Sequence, residues 1–249
     1  MPPTPPRGQP YWVATRSPRY SLLFALPLLI GYEVMAAALS ADHAKSHVRN
    51  GADVLLKELS FALIGTYGPL VLMGAVVLVC VVLVARDMKR SGGTLSPGFF
   101  ALMLAESSLL AALFGLVVGT ATAGLLGHIR PLAIGQVAGL DSPTRIMLSL
   151  GAGLYEELLF RVLLVGALAA GARIVLGFGK GASGIFATVT GAIVFSAFHY
   201  IGPYGEALQV QSFVYRAISG VAFSALYLTR GFGITAWTHA LYDVWVMVS

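Results

Sequence analysis

Long apolar runs separated by short polar stretches recur along the whole chain. The first, "YSLLFALPLLIGYEVMAAAL" at 20–39, is followed by runs near 65–85, 99–126, 145–170, 184–200, 209–229 and 232–248. Each is close to the roughly 20 residues that an α-helix needs to cross a bilayer. The pattern predicts an all-α, polytopic transmembrane helix bundle of about seven spans, or eight if 46–64 also crosses. The end of the first run, "MAAALSA", has the small residues of a signal-peptide cleavage site. A long polar region precedes it and Glu33 interrupts it, so it reads as a retained span.

Between the first two runs lies "ADVLLKELSFALI", 52–64. Helical spacing puts Val54, Leu55, Leu59 and Ala62 on one side and Asp53, Lys57 and Ser60 largely on another, which suits a surface helix. The opening "MPPTPPRGQP" has no apolar period and reads as part of a disordered, proline-rich tail, residues 1–19. Residues 20–249 then form a single transmembrane domain. Gly115 and Gly119 make a GxxxG, a sequence suited to close helix contact.

Composition agrees with the pattern. The chain is 57% hydrophobic and only 11% charged, with a mean hydropathy of +0.81. Soluble domains carry about 25% charged residues, so a soluble enzyme is excluded. The formal charge of +5 does not indicate nucleic acid, because no basic cluster sits beside a polar fold. Its positive residues instead mark loop ends. With the N-terminus in the cytoplasm, nine fall inside (Arg7, Arg16, Arg19, Arg86, Lys89, Arg90, Arg173, Lys180, Arg230) and five outside (Lys45, Arg49, Lys57, Arg130, Arg145). The positive-inside rule therefore predicts N-in. Cys80 is the sole cysteine, a small buried hydrophobe in "VLVCVVLV".

The chemistry enters at "GAGLYEELLFRVLLVG", 151–166, which sets Glu156, Glu157 and Arg161 in an apolar run. Three such charges cost about 8–10 kcal/mol to insert, while the aliphatic residues of 145–170 return about 4–8. The helix needs partners or water inside a bundle. Glu157 and Arg161 are four apart, so an ion pair is their natural arrangement. Glu156 points elsewhere. Two further groups can meet it: His199 in "VFSAFHY", and His239 with Asp243 one turn later in "WTHALYDVW". The bland reading is that these polar residues only tie helices together. Together they also suffice to activate water, with Glu156 as general base and a histidine sharing the proton work. Glu156, His199 and His239, with or without Asp243, equally offer the ligand set of a divalent metal such as zinc. No HExxH occurs. The "GFGKGASG" at 177–184 lacks the strand and the Lys-Ser/Thr of a phosphate loop and reads as a connector.

These segments resemble known motifs. "EELLFR" resembles EExxxR, "FSAFH" resembles FxxxH, and "HALYD" resembles Hxxx(N/D), in the order and spacing of the CPBP family. These are the CAAX proteases and bacteriocin-processing enzymes, Abi-type intramembrane endopeptidases, and the resemblance covers about residues 145–249. It implies that Glu156 and His199 activate water while His239 and Asp243 support the site and the oxyanion. Glu157 and Arg161 would complete the first motif, and Phe195 would set the pitch of His199. Asp243 stands where many members have Asn, and an ionised Asp cannot donate to an oxyanion. The family has been described both as metal-dependent and as using glutamate-activated water, and both remain open here. The implied partners are membrane lipid and a membrane-associated or lipidated protein or peptide, in a bacterial inner membrane. The competing reading is a non-catalytic partner or assembly factor in a membrane complex. Glu33, Glu106 and Arg216 are further intramembrane charges, Arg216 facing an acid or a substrate carboxylate.

Overall fold

A computed structural model describes residues 10–40, 48–90, 95–127, 139–202 and 205–248. Among the described residues the chain is helical and has no strand. In order come α1 (Tyr11–Ala14), α2 (Pro18–Leu39), α3 (Gly51–Ile64), α4 (Gly68–Arg90) and α5 (Pro97–Leu126). Then follow α6 (Ser142–Gly151), a π-helical segment (Ala152–Leu164), α7 (Val165–Ile174), α8 (Lys180–Phe198), α9 (Val210–Arg230) and α10 (Phe232–Val248).

Four of these, α2, α4, α5 and α8, are long and apolar enough to cross a membrane. Their outer surfaces fit hydrocarbon: Leu70 and Leu78 on α4 are 72% and 63% exposed, and Leu116 on α5 is 64% exposed. Apolar side chains turned outward over whole helices are stable only where the solvent is lipid. The chain is an integral membrane helix bundle.

α10 is the hub. It packs against α2, α5, α6, the π-helical segment and α9. Its small residues Ala236 and Ala240 are buried and face Gly153, where a Cβ would collide with the Ala236 carbonyl and the Ala240 side chain. Such close approach of backbones is how membrane helices gain packing energy without a hydrophobic drive. Of the GxxxG, Gly115 meets the ring of Tyr242 on α10: a Cβ there would lie 3.2 Å from Tyr242 Cε2.

Two expectations need correction. The chain is placed well before residue 20: α1 and the start of α2 are ordered by anchors at Tyr11 and Trp12. Tyr11 donates to Glu106 Oε2 at 2.6 Å, and the Arg230 guanidinium lies 4.3 Å from the Trp12 ring centroid. Burial, with the Glu106 charge adding to it, pushes the Tyr11 phenol up, so it stays a donor. Residues 1–9 of the expected tail, and Lys45 and Arg130 of the charge count, lie outside the described residues.

The second correction concerns α3, whose polar face packs against protein rather than facing water as a surface helix would. Ala52, Asp53, Leu56 and Ser60 are buried, while Val54, Leu59, Phe61 and Leu63 are exposed. With lipid outside, the apolar face turns outward and the polar one inward. Asp53 there accepts from Tyr32 at 2.8 Å and pairs with Lys57 at 2.6 Å and Arg49 at 3.2 Å.

Candidate active site

The expected single helix over 145–170 is three pieces: α6, the π-helical segment and α7, covering 142–174 without a break. A π-helix bonds each N–H one residue further back than an α-helix, widening the turn, and such segments gather at functional sites. Glu156, Glu157 and Arg161 all lie in it, and all are buried. The expected pair is present, with Glu157 Oε2 3.3 Å from Arg161 Nε. The guanidinium carbon lies over two aromatic rings, 4.3 Å from the Phe195 centroid and 5.3 Å from that of Phe223. Among the described residues its terminal nitrogens Nη1 and Nη2 have no hydrogen-bond partner. Ring faces therefore supply what hydrogen bonds do not.

Glu157 also faces α10. Its Oε1 lies 2.7 Å from His239 Nδ1, so one carboxylate serves both Arg161 and His239. The imidazole stacks on Phe223 at 4.3 Å between centroids and 21° between planes. On its other edge, Nε2 lies 3.6 Å from Asp243 Oδ2, beyond hydrogen-bond length. His239 is thus oriented by Glu157 and by an aromatic face, with Nε2 directed away from both.

His199 is the C-cap residue of α8 rather than the interior of a span. Its Nδ1 lies 2.9 Å from the Phe195 carbonyl oxygen, which can only accept. Nδ1 therefore carries the proton, and in the neutral ring Nε2 is a free lone pair. Phe195 fixes His199 twice, since its ring also meets the imidazole edge-on at 5.0 Å. Glu156 interacts electrostatically with both His199 and His239. Among the described residues its one hydrogen-bond partner is Asn50, whose Nδ2 donates to Oε1 at 2.9 Å.

The other intramembrane charges are paired. Glu106 is bound by Arg230 at 2.5 and 2.7 Å. Arg216 is held by both carboxylate oxygens of Glu206, at 2.7 and 2.8 Å, and by Tyr200. Glu33 accepts from Tyr155 at 2.7 Å and from Arg49 at 3.4 Å.

Among the described residues no three His, Cys, Asp or Glu side chains are grouped to hold a metal ion. His239 Nδ1 is taken by Glu157 and His199 Nδ1 by a carbonyl, which leaves Nε2 of each ring free. A catalytic zinc needs three converging protein ligands.

Sequence reading missed Asn50 and Phe223. Asn50 stands directly before a helical run, which marks it as an N-cap, but nothing local ties it to Glu156, more than a hundred residues later. Phe223 lies in an unremarkable apolar stretch of α9.

No curated protein and no solved structure matches the chain. Residues 140–245 match the family model described as type II CAAX prenyl endopeptidase Rce1-like, the segment that also carries the three CPBP-like motifs.

Proposed function

We propose that the chain is an intramembrane endopeptidase that hydrolyses a peptide bond of a membrane-anchored protein or peptide with water activated by Glu156 and His199. The supporting observation is the unequal treatment of two adjacent carboxylates. Glu157 is consumed by Arg161 and His239, whereas Glu156 is bound by a neutral amide and faces two imidazoles. A carboxylate with no close ion pair among the described residues, beside a histidine with a free Nε2, suits a general base.

In this reading Glu156 takes a proton from water while His199 Nε2 holds the water by its second hydrogen. The oxygen attacks the peptide carbonyl carbon and forms a tetrahedral oxyanion. The proton on Glu156 then passes to the departing amide nitrogen, the C–N bond breaks, and a carboxylic acid and an amine result. His239, oriented at Nδ1 by Glu157, offers Nε2–H to the oxyanion when doubly protonated. Asp243 steadies that ring at 3.6 Å. No step is routed through a metal. The positive-inside count supports a cytoplasmic N-terminus in this reading, which takes the chain to cross seven times.

The test uses purified protein in proteoliposomes and a panel of quenched fluorescent peptides anchored by a transmembrane segment, an acyl chain or a prenylated cysteine. Turnover by the wild type that is lost in Glu156→Gln supports the proposal, and the best-cleaved anchor defines the substrate class. Equal turnover by both proteins overturns it.

A further inference from the structure

The family-model match begins at residue 140, yet among the described residues the hydrogen bond to Glu156 comes from Asn50, the N-cap of α3, outside that segment. We infer that Asn50 is a positioning residue that holds and orients the Glu156 carboxylate, so that the N-terminal part of the chain completes the site. The inference rests on Glu156 being the base of the proposed reaction.

Three independent features fix Asn50. It is the N-cap of α3, and its side-chain Oδ1 accepts from the Ala52 N–H at 2.9 Å. An amide has one acceptor end and one donor end. With Oδ1 committed to the cap, Nδ2 must be the end that faces Glu156, and it lies 2.9 Å from Oε1. The backbone is held as well. Asn50 N–H donates to Tyr32 Oη at 3.2 Å, and Tyr32 donates to Asp53 at 2.8 Å. Asp53 in turn is clamped by Lys57 and Arg49.

The third feature is Gly151, at the junction of α6 and the π-helical segment. A Cβ there would lie 2.8 Å from Asn50 Cβ and 2.5 Å from Tyr32 Cε2, closer than side chains pack. Glycine lets Asn50 reach the glutamate. Asn50 is itself only 6% exposed, so its amide has little access to other partners. A neutral donor suits the task. It orients the carboxylate without the tight ion pair that engages Glu157, leaving Glu156 able to accept a proton.

Capping alone does not require asparagine, because Ser and Asp cap helices about equally well. Asn50→Ser therefore keeps the start of α3 while removing the amide donor to Glu156. In the full-length protein we expect unchanged thermal unfolding, a kcat about 10- to 100-fold lower, and KM within about twofold. Gly151→Ala, which displaces Asn50 from the other side, should reproduce the loss. A second measurement does not depend on turnover. The infrared difference between wild type and Glu156→Gln isolates the Glu156 carboxylate bands, and Asn50→Ser should shift them. An unmoved band, or wild-type kcat in Asn50→Ser, overturns the inference. If the wild type cleaves nothing, the proposed reaction fails while the band shift still decides whether Asn50 holds Glu156.

Discussion

Glu157 Oε1 lies 2.7 Å from His239 Nδ1, joining the π-helical segment to the central helix α10. The same carboxylate balances Arg161, which is 2% exposed. Glu157 is therefore the electrostatic centre of the core rather than a reagent. Breaking a buried pair from one side costs about 3–5 kcal/mol, because a charge is left uncompensated. Glu157→Ala should lower membrane abundance and the unfolding temperature in detergent. Glu157→Gln with Arg161→Met removes both charges and should recover much of the loss. Equal stability of Glu157→Ala and wild type would show that Arg161 does not depend on this carboxylate.

Gly153 gives a packing prediction. Its missing Cβ leaves room for the Ala236 carbonyl and Ala240 on α10. Gly153→Val should destabilise the bundle by about 1–3 kcal/mol. Because α10 carries His239 and Asp243, peptide cleavage should fall more than abundance does. Quantitative blotting alongside an activity assay separates the two.

Asp243 tests the metal question. Its Oδ2 is 3.6 Å from His239 Nε2. If Asp243 only steadies His239, Asp243→Asn should keep activity within a few-fold, since the amide both accepts and donates. Asp243→Ala should fail, and a chelator should change neither result. A chelator-sensitive wild type, together with an Asn variant that is inactive until divalent ion is added, would point to a ligand role instead.

Topology is open to cysteine labelling in a Cys80→Ser background. With the N-terminus in the cytoplasm, a cysteine at Arg90 should react only from inside and one at Arg130 only from outside. Labelling of position 90 from outside contradicts the seven-crossing arrangement.

Much of this architecture could be read from residue pattern, because hydropathy reports membrane depth directly. The run at 20–39 is α2, Pro18–Leu39, and that at 99–126 is α5, Pro97–Leu126. α4 runs on to Arg90 because a helix continues past the bilayer surface with polar residues, which hydropathy leaves out. The Glu157–Arg161 pair followed from spacing along one helix. The π-helical segment did not, since its backbone bonding leaves no periodic signal in so uniformly apolar a run. The packing of α3 escaped for another reason: its amphipathic pattern fixes two faces, not whether the polar one meets water or protein. Asn50 escaped because its partner is on a distant helix, so only the cap was visible locally.

The central claim is that Glu156 activates water for peptide hydrolysis, and membranes containing the native substrates test it most directly. Membranes from cells making equal amounts of wild type or Glu156→Gln can be compared by mass spectrometry of new peptide termini. Loss of a water-activating group typically lowers rate about 10²–10⁴-fold. The account predicts at least one terminus that is present with the wild type and absent with Glu156→Gln, and also with His199→Ala. An identical set of termini from a well-expressed, folded Glu156→Gln protein would contradict it.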